Sequence, residues 1–301
     1  MAMFEGFTLT TVKAGEIEIR LRHGGSGPPL LLLHGHPETH VMWHRVAPWL
    51  ARDFTVIAPD LRGYGGSGRP ATTADHEPYS KRAMARDQIA LMKHFGFERF
   101  AVAGHDRGGR VAYRLALDHP ARVGRLAVLD ILPTETVWAR ADARLALAFW
   151  PWSLLAQPAP LPERVLAAAP EAVIEDALGG WGSSPAAFPP EVRAAYVEAL
   201  RDPAHAHAIC EEYRAAATLD RAHDKADLAA GRKIACPLLA LWSAGSGLDR
   251  WYAEEGGPLA LWREWADHVE GRALAGGHFF PEELPEETAA ILRRFFAAGA
   301  T

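Results

Sequence analysis

Cysteine is scarce: Cys210 and Cys236 are the two in a chain of 301 residues. At that spacing they make neither a disulfide framework nor a zinc-ligand pattern, and a reducing, cytoplasmic setting is the expectation. An excess of either charge is also missing. The 32 Lys and Arg against 37 Asp and Glu leave a formal net charge of −5, which argues against a nucleic-acid partner. No apolar run approaches the length that crosses a bilayer. The first ten residues carry no basic stretch followed by an apolar one, so neither a membrane partner nor a secretory signal is expected. Apolar material, by contrast, is plentiful at 49%, enough for a large core. The length suits one α/β domain carrying an insertion.

Short strand-like runs recur at residues 17–21, 30–33, 54–58, 100–103, 126–129, 237–242 and 269–274. Several are apolar throughout, as strands buried on both faces of a parallel sheet are. Helical spacing occupies residues 41–51, 80–95, 259–265 and 288–296. Alternation of the two predicts an α/β protein with a mostly parallel, doubly wound sheet. The pattern stops over residues 133–232, rich in Ala, Pro and Trp, with no strand signal. The expected organisation is a core domain of residues 1–132 and 233–301, with a helical cap over residues 133–232 inserted between two strands.

The most informative stretch is Gly104-His105-Asp106-Arg107-Gly108, directly after the apolar run 100–103. A Gly-x-nucleophile-x-Gly sequence between strand and helix makes a tight elbow that exposes its middle side chain above the sheet. Here that side chain is Asp106. A serine ether formed at saturated carbon could not be hydrolysed, whereas an aspartyl alkyl ester can. The residue type therefore points to displacement of a leaving group from sp3 carbon, followed by ester hydrolysis. The plainer reading of Asp106 as a helix N-cap is outweighed by its partners.

Asp130 follows the next strand, and His278, flanked by Gly276 and Gly277, follows the last. Nucleophile, acid and histidine thus come in the order of an α/β-hydrolase triad, with His278 as general base and Asp130 orienting it. Asp249, in a later glycine-rich loop, is the rival acid. His34-Gly35-His36-Pro37 ends an earlier strand, where this architecture places a backbone donor for an oxyanion. His34 reads as structural; the His36 side chain faces either the pocket or solvent. Arg107 and Arg110, three apart at a helix start, can face one side and together make an anion site suited to a carboxylate.

These motifs resemble the fluoroacetate (haloacetate) dehalogenases of the α/β-hydrolase superfamily over nearly the whole chain. The resemblance rests on His34-Gly35-x-Pro37 with Met42-Trp43, Asp60-Leu61-Arg62-Gly63-Tyr64-Gly65 and the Asp106 elbow with Arg107 and Arg110. Val128 to Pro133, Trp152-Ser153, Leu155 to Pro158, Cys210-Glu211-x-Tyr213-Arg214 and Gly277-His278-Phe279 add to it. It implies an α/β-hydrolase fold, a halo acid as small-molecule substrate, no metal or organic cofactor, and a homodimer. It also implies that Arg107 and Arg110 hold the substrate carboxylate, that Trp152 and Tyr213 line a halide pocket, and that Trp181 lies near the substrate. The family's halide-binding histidine is replaced here by Pro151, and a phenylalanine by His36, another candidate pocket residue. Proline has neither a side-chain donor nor a backbone N–H, so weak defluorination relative to dechlorination or debromination is expected. Two rival readings are an epoxide hydrolase, which needs lid tyrosines with Tyr196 and Tyr213 as candidates, and a non-catalytic receptor of the same fold.

Overall fold

The computed structural model describes residues 3–298. Eight strands form one sheet in the order β1-β2-β4-β3-β5-β6-β7-β8. They are β1 (Thr8–Ala14), β2 (Ile17–Gly24), β3 (Pro29–Leu33), β4 (Thr55–Pro59), β5 (Phe100–His105), β6 (Val123–Leu129), β7 (Leu238–Ser243) and β8 (Val269–Leu274). From β4 to β8 every pairing is parallel, whereas β2 runs antiparallel to both β1 and β4. Leu30 to Leu33 and Leu126 to Leu129 are fully buried, as strands covered on both faces require.

Three helices matter for the site: α1 (Lys81–His94), α2 (Asp106–Asp118) and α3 (Pro203–Ala215). Ser80 caps α1 by accepting from the Ala83 N–H. The helix α2 starts on the nucleophile candidate itself and buries most of its length against the sheet. Between β6 and β7 the described residues form helices, with no strand among them. None of the described helices is long and apolar enough to cross a membrane.

Two local expectations are corrected. The sequence signal missed β1, whose residues are half exposed and mostly polar, so no apolar run marks them. Its pairing with β2 across the Gly15 turn makes a hairpin. Residues 41–51 do not form one helix. A 3-10 turn (His40–His44) and a short α-helix (Ala47–Leu50) divide them, with Pro48 at the start of the second.

The strand order sets the site. Central β5 has β3 on one side and β6 on the other, so the loops after all three open at the same edge of the sheet. Strand β7 stands between β6 and β8, and its last residue bridges the gap. The Ser243 N–H donates to Asp130 Oδ1 (2.8 Å), and its hydroxyl donates to the Gly276 carbonyl (2.6 Å). The loop carrying His278 is thereby drawn across β7 toward Asp130.

Candidate active site

Asp106 occupies the β5–α2 junction in the left-handed region, φ +42°. Its glycine neighbours are sterically required. A Cβ on Gly104 would overlap the Gly108 main chain, and one on Gly108 would overlap the main chain of Leu33 and His34. The elbow can sit this close to β3 only without those side chains. Asp106 Oδ1 accepts the His36 backbone N–H at 2.9 Å. Burial opposes ionisation of Asp106, yet His278, Arg107, His105 and Arg110 together hold its carboxyl well below the usual carboxylate range.

The His278 Nδ1–H donates to Asp130 Oδ2 at 2.7 Å. Its Nε2 is buried without a hydrogen-bond partner among the described residues. The His278 N–H donates to the Trp181 carbonyl (3.0 Å), and its own carbonyl accepts from His105 Nε2 (2.8 Å). Asp130 also lies at positive φ, +53°. The rival Asp249 is engaged elsewhere: its oxygens accept from Trp242 Nε1 and from the Gly245 N–H, each at 2.8 Å. The structure thus brings together Asp106, Asp130 and His278, and leaves Asp249 bonded within its own loop.

A buried histidine that the sequence reading passed over lies behind the triad. His105 contacts Glu38 Oε2 through Nδ1 (2.9 Å) and the His278 carbonyl through Nε2 (2.8 Å). Both partners are acceptors, so the ring must carry both protons. Burial works against that charge, but Glu38 and neighbouring Asp106 outweigh it and raise the pKa to about 9.

The two arginines occupy different positions. Arg110 lines a cavity of about 490 Å³ above Asp106, together with Trp152, Trp181, Tyr213 and His278. Its Nη1 donates to the Leu132 carbonyl (2.8 Å), and its guanidinium lies 4.4 Å from the Trp152 ring. Arg107 lies deeper, 4.0 Å from the Tyr213 ring, with Nε and Nη2 both on Glu212. Arg107 Nη1 and Arg110 Nε are buried and have no partner among the described residues. Of the two arginines only Arg110 is among the residues lining the cavity, and Arg107 lies behind it.

The remaining sequence candidates divide. Trp152, Trp181 and Tyr213 line the cavity, as does Pro151. The Trp181 ring stacks on Phe279 and meets His278 edge-on. His36 is a correction, because its side chain is not among the residues lining the cavity. Its ring is fully buried edge-on to Tyr213 and Tyr64, burial pushes its pKa down to about 3, and its backbone N–H is the part that faces Asp106. His34 is structural: its Nδ1–H donates to the Gly35 carbonyl and its Nε2 accepts the Leu61 N–H. Tyr196 donates to Glu282 at 3.0 Å and is absent from the cavity lining. Among the described residues no cluster of three His, Cys, Asp or Glu could hold a metal ion.

The fold and these motifs place the chain in the α/β-hydrolase superfamily, whose family, described as alpha/beta hydrolase fold, matches residues 28–283. Within it the chain belongs to the haloacetate dehalogenase family. A fluoroacetate dehalogenase from a Burkholderia species is 47% identical, with 98% of this chain and 95% of the relative aligned. A soluble epoxide hydrolase from a Corynebacterium species is 34% identical over 98% of this chain and 96% of its own. Among solved structures, a mutant of a Pseudomonas aeruginosa protein described as an epoxide hydrolase, with bound MFA, superposes with a TM-score of 0.90. It is 43% identical and covers 99% of this chain and 98% of its own.

Proposed function

We propose that the protein is a haloacetate dehalogenase, converting a 2-halo acid and water into the 2-hydroxy acid, halide and a proton. One observation carries this reading: the two unpartnered guanidinium N–H groups of Arg107 and Arg110 beside the ionised Asp106 elbow. In the first step Asp106 Oδ2 forms a bond to the substrate α-carbon, and halide departs with its bonding electrons. Oδ1 stays on the His36 N–H. In the second, His278 Nε2 takes a proton from water, whose oxygen adds to the Asp106 Cγ. The negative charge then gathers on Oδ1, where the His36 N–H already points. The adduct collapses, the departing alkoxide takes the proton from His278, and the Asp106 carboxyl, which keeps the water oxygen, loses its remaining proton to solvent and is restored as the carboxylate. Asp130 holds the imidazolium in place between the steps.

The epoxide reading is supported by relatives of that name. It needs tyrosines to protonate the opening ring, and of the two lid candidates only Tyr213 faces the cavity, Tyr196 being bonded to Glu282. A receptor would need neither the Asp130–His278 bond nor an ionised elbow.

The test is halide release from fluoroacetate, chloroacetate and bromoacetate by the wild type and by Asp106→Asn. Release from the wild type that the variant loses is the expected outcome. Fluoride needs donors most as its charge develops, and Pro151 supplies none. A missing charge-assisted hydrogen bond of about 1.5–3 kcal/mol corresponds to roughly ten- to a hundred-fold in rate. Fluoroacetate is therefore expected to be slower than chloroacetate by about that factor; equal or faster turnover rejects the Pro151 argument. No release from any of the three rejects the dehalogenase reading.

A further inference from the structure

Beyond the triad, a group of buried ionisable side chains lies behind Arg107, and no step of the proposed reaction uses it. Arg107 comes from α2, Lys81 from the first position of α1, and Glu212 from α3; all three are at most 1% exposed. Arg107 Nε is 2.9 Å from each Glu212 oxygen, and Nη2 is also on Oε1. The Tyr64 hydroxyl donates to Glu212 Oε2 at 3.3 Å. Lys81 Nζ presses on Glu212 Oε1 and lies 3.6 Å from Asp220 Oδ2. Asp220 ends a single π-helical turn, Ala216–Asp220, that continues α3, and it also accepts the Lys81 backbone N–H at 2.9 Å.

The effect on Arg107 is geometric. Its Nε and Nη2 edge is taken by Glu212, its face is covered by Tyr213, and Nη1 alone remains. Arg110 likewise gives Nη1 to Leu132 and Thr134 and keeps Nε. The buried nitrogens left unpartnered are thus one from each arginine, Arg107 Nη1 and Arg110 Nε, for the two oxygens of one carboxylate. Released from Glu212, the Arg107 guanidinium could rotate away from this orientation. That would misplace the donor meant for the substrate carboxylate.

We propose that Glu212, braced by Lys81 and Tyr64, is a positioning residue for substrate recognition: it fixes the Arg107 guanidinium and turns its Nη1 toward the substrate carboxylate. This rests on the reading of Arg107 and Arg110 as the carboxylate site. The sequence reading took the neighbouring Tyr213 but not Glu212, because nothing in the spacing shows which acidic residue of α3 turns inward.

The test compares chloroacetate with its neutral isostere chloroacetamide on the wild type, Glu212→Gln, Glu212→Asp and Lys81→Met, with thermal melts for each. For Glu212→Gln the expected result is a KM for chloroacetate raised about ten- to a hundred-fold, with kcat within a few-fold and chloroacetamide turnover unchanged. Glu212→Asp, which keeps the charge, recovers part of the loss. Lys81→Met gives a smaller rise confined to chloroacetate, and carries the test alone if Glu212→Gln does not fold. A chloroacetate KM that stays at the wild-type value, or an equal effect on both substrates, overturns the proposal and leaves Glu212 a structural ion pair. No chloroacetate turnover by the wild type overturns the carboxylate reading, and this proposal with it.

Discussion

His278 has two nitrogens with separate tasks. Nδ1 is committed to Asp130, and Nε2 is left to meet water. Displacement by Asp106 needs no base, whereas hydrolysis of the resulting ester does. A His278→Gln variant is therefore expected to stop after one half-reaction. Incubated with bromoacetate it should release about one equivalent of bromide per chain and gain the mass of one carboxymethyl group at Asp106 in an intact-mass spectrum. Continued multiple turnover, or an unmodified mass after bromide release, contradicts the assignment of His278. At this scale the sequence was most legible where chemistry and chain geometry coincide. Asp106 stands in a glycine frame that only an elbow requires, and His278 stands between a last strand and a closing helix. The contribution of His36 was not legible, because its backbone and side chain part company: the N–H reaches Asp106 while the ring turns into the core. Glu212 and His105 were missed for a related reason, since burial makes them partners of Arg107 and His278 and burial is decided by the tertiary fold.

The end of one strand and the loops after two others meet at one buried ion pair. Glu38 belongs to the loop after β3, His105 ends β5, and the His278 carbonyl belongs to the loop after β8. The charged His105 ring ties these together, which makes the tie sensitive to alkali. Its pKa is raised in the folded protein from 6.5 to about 9. The stabilisation is accordingly complete below about pH 6.5 and is lost as pH rises through about 9. A shift of that size corresponds to something on the order of 3 kcal/mol. The buried Glu282 carboxyl, pushed well above its usual range by burial and by Glu38, adds a trend of the same sign. Urea unfolding between pH 6 and 10 should show stability falling with pH, with a shallower slope in Glu38→Gln. A flat profile for the wild type contradicts the charged state of His105. Among the elements themselves, the apolar strands were readable because burial on both faces leaves one kind of side chain. The first strand, β1, was not, because one neighbour and an exposed face leave it polar.

At the scale of the whole chain, the helices between β6 and β7 are fastened to the sheet and its flanking helices by buried polar contacts. Arg114 pairs with Asp224 (2.7 Å) and Asp227 (2.6 Å), the Tyr113 hydroxyl donates to Asp224 (2.8 Å), and Arg107 holds Glu212. Breaking a buried pair by removing one partner costs about 3–5 kcal/mol. Asp224→Ala should lose about that much, and calorimetry should still record one transition in both proteins, because these contacts make the two parts melt together. Two resolved transitions in the wild type would show that the helical segment unfolds on its own. The strandless stretch was legible in composition alone. Its attachment was not, since Arg114 and Asp224 stand 110 positions apart.

Leu147, 82% exposed, is among the residues lining the cavity over Asp106, with the half-buried Phe149, Trp251 and Ser246. In the proposed reaction, whatever widens or corks that exposed rim would set the range of acids that reach Asp106 while the chemistry at the floor stays the same.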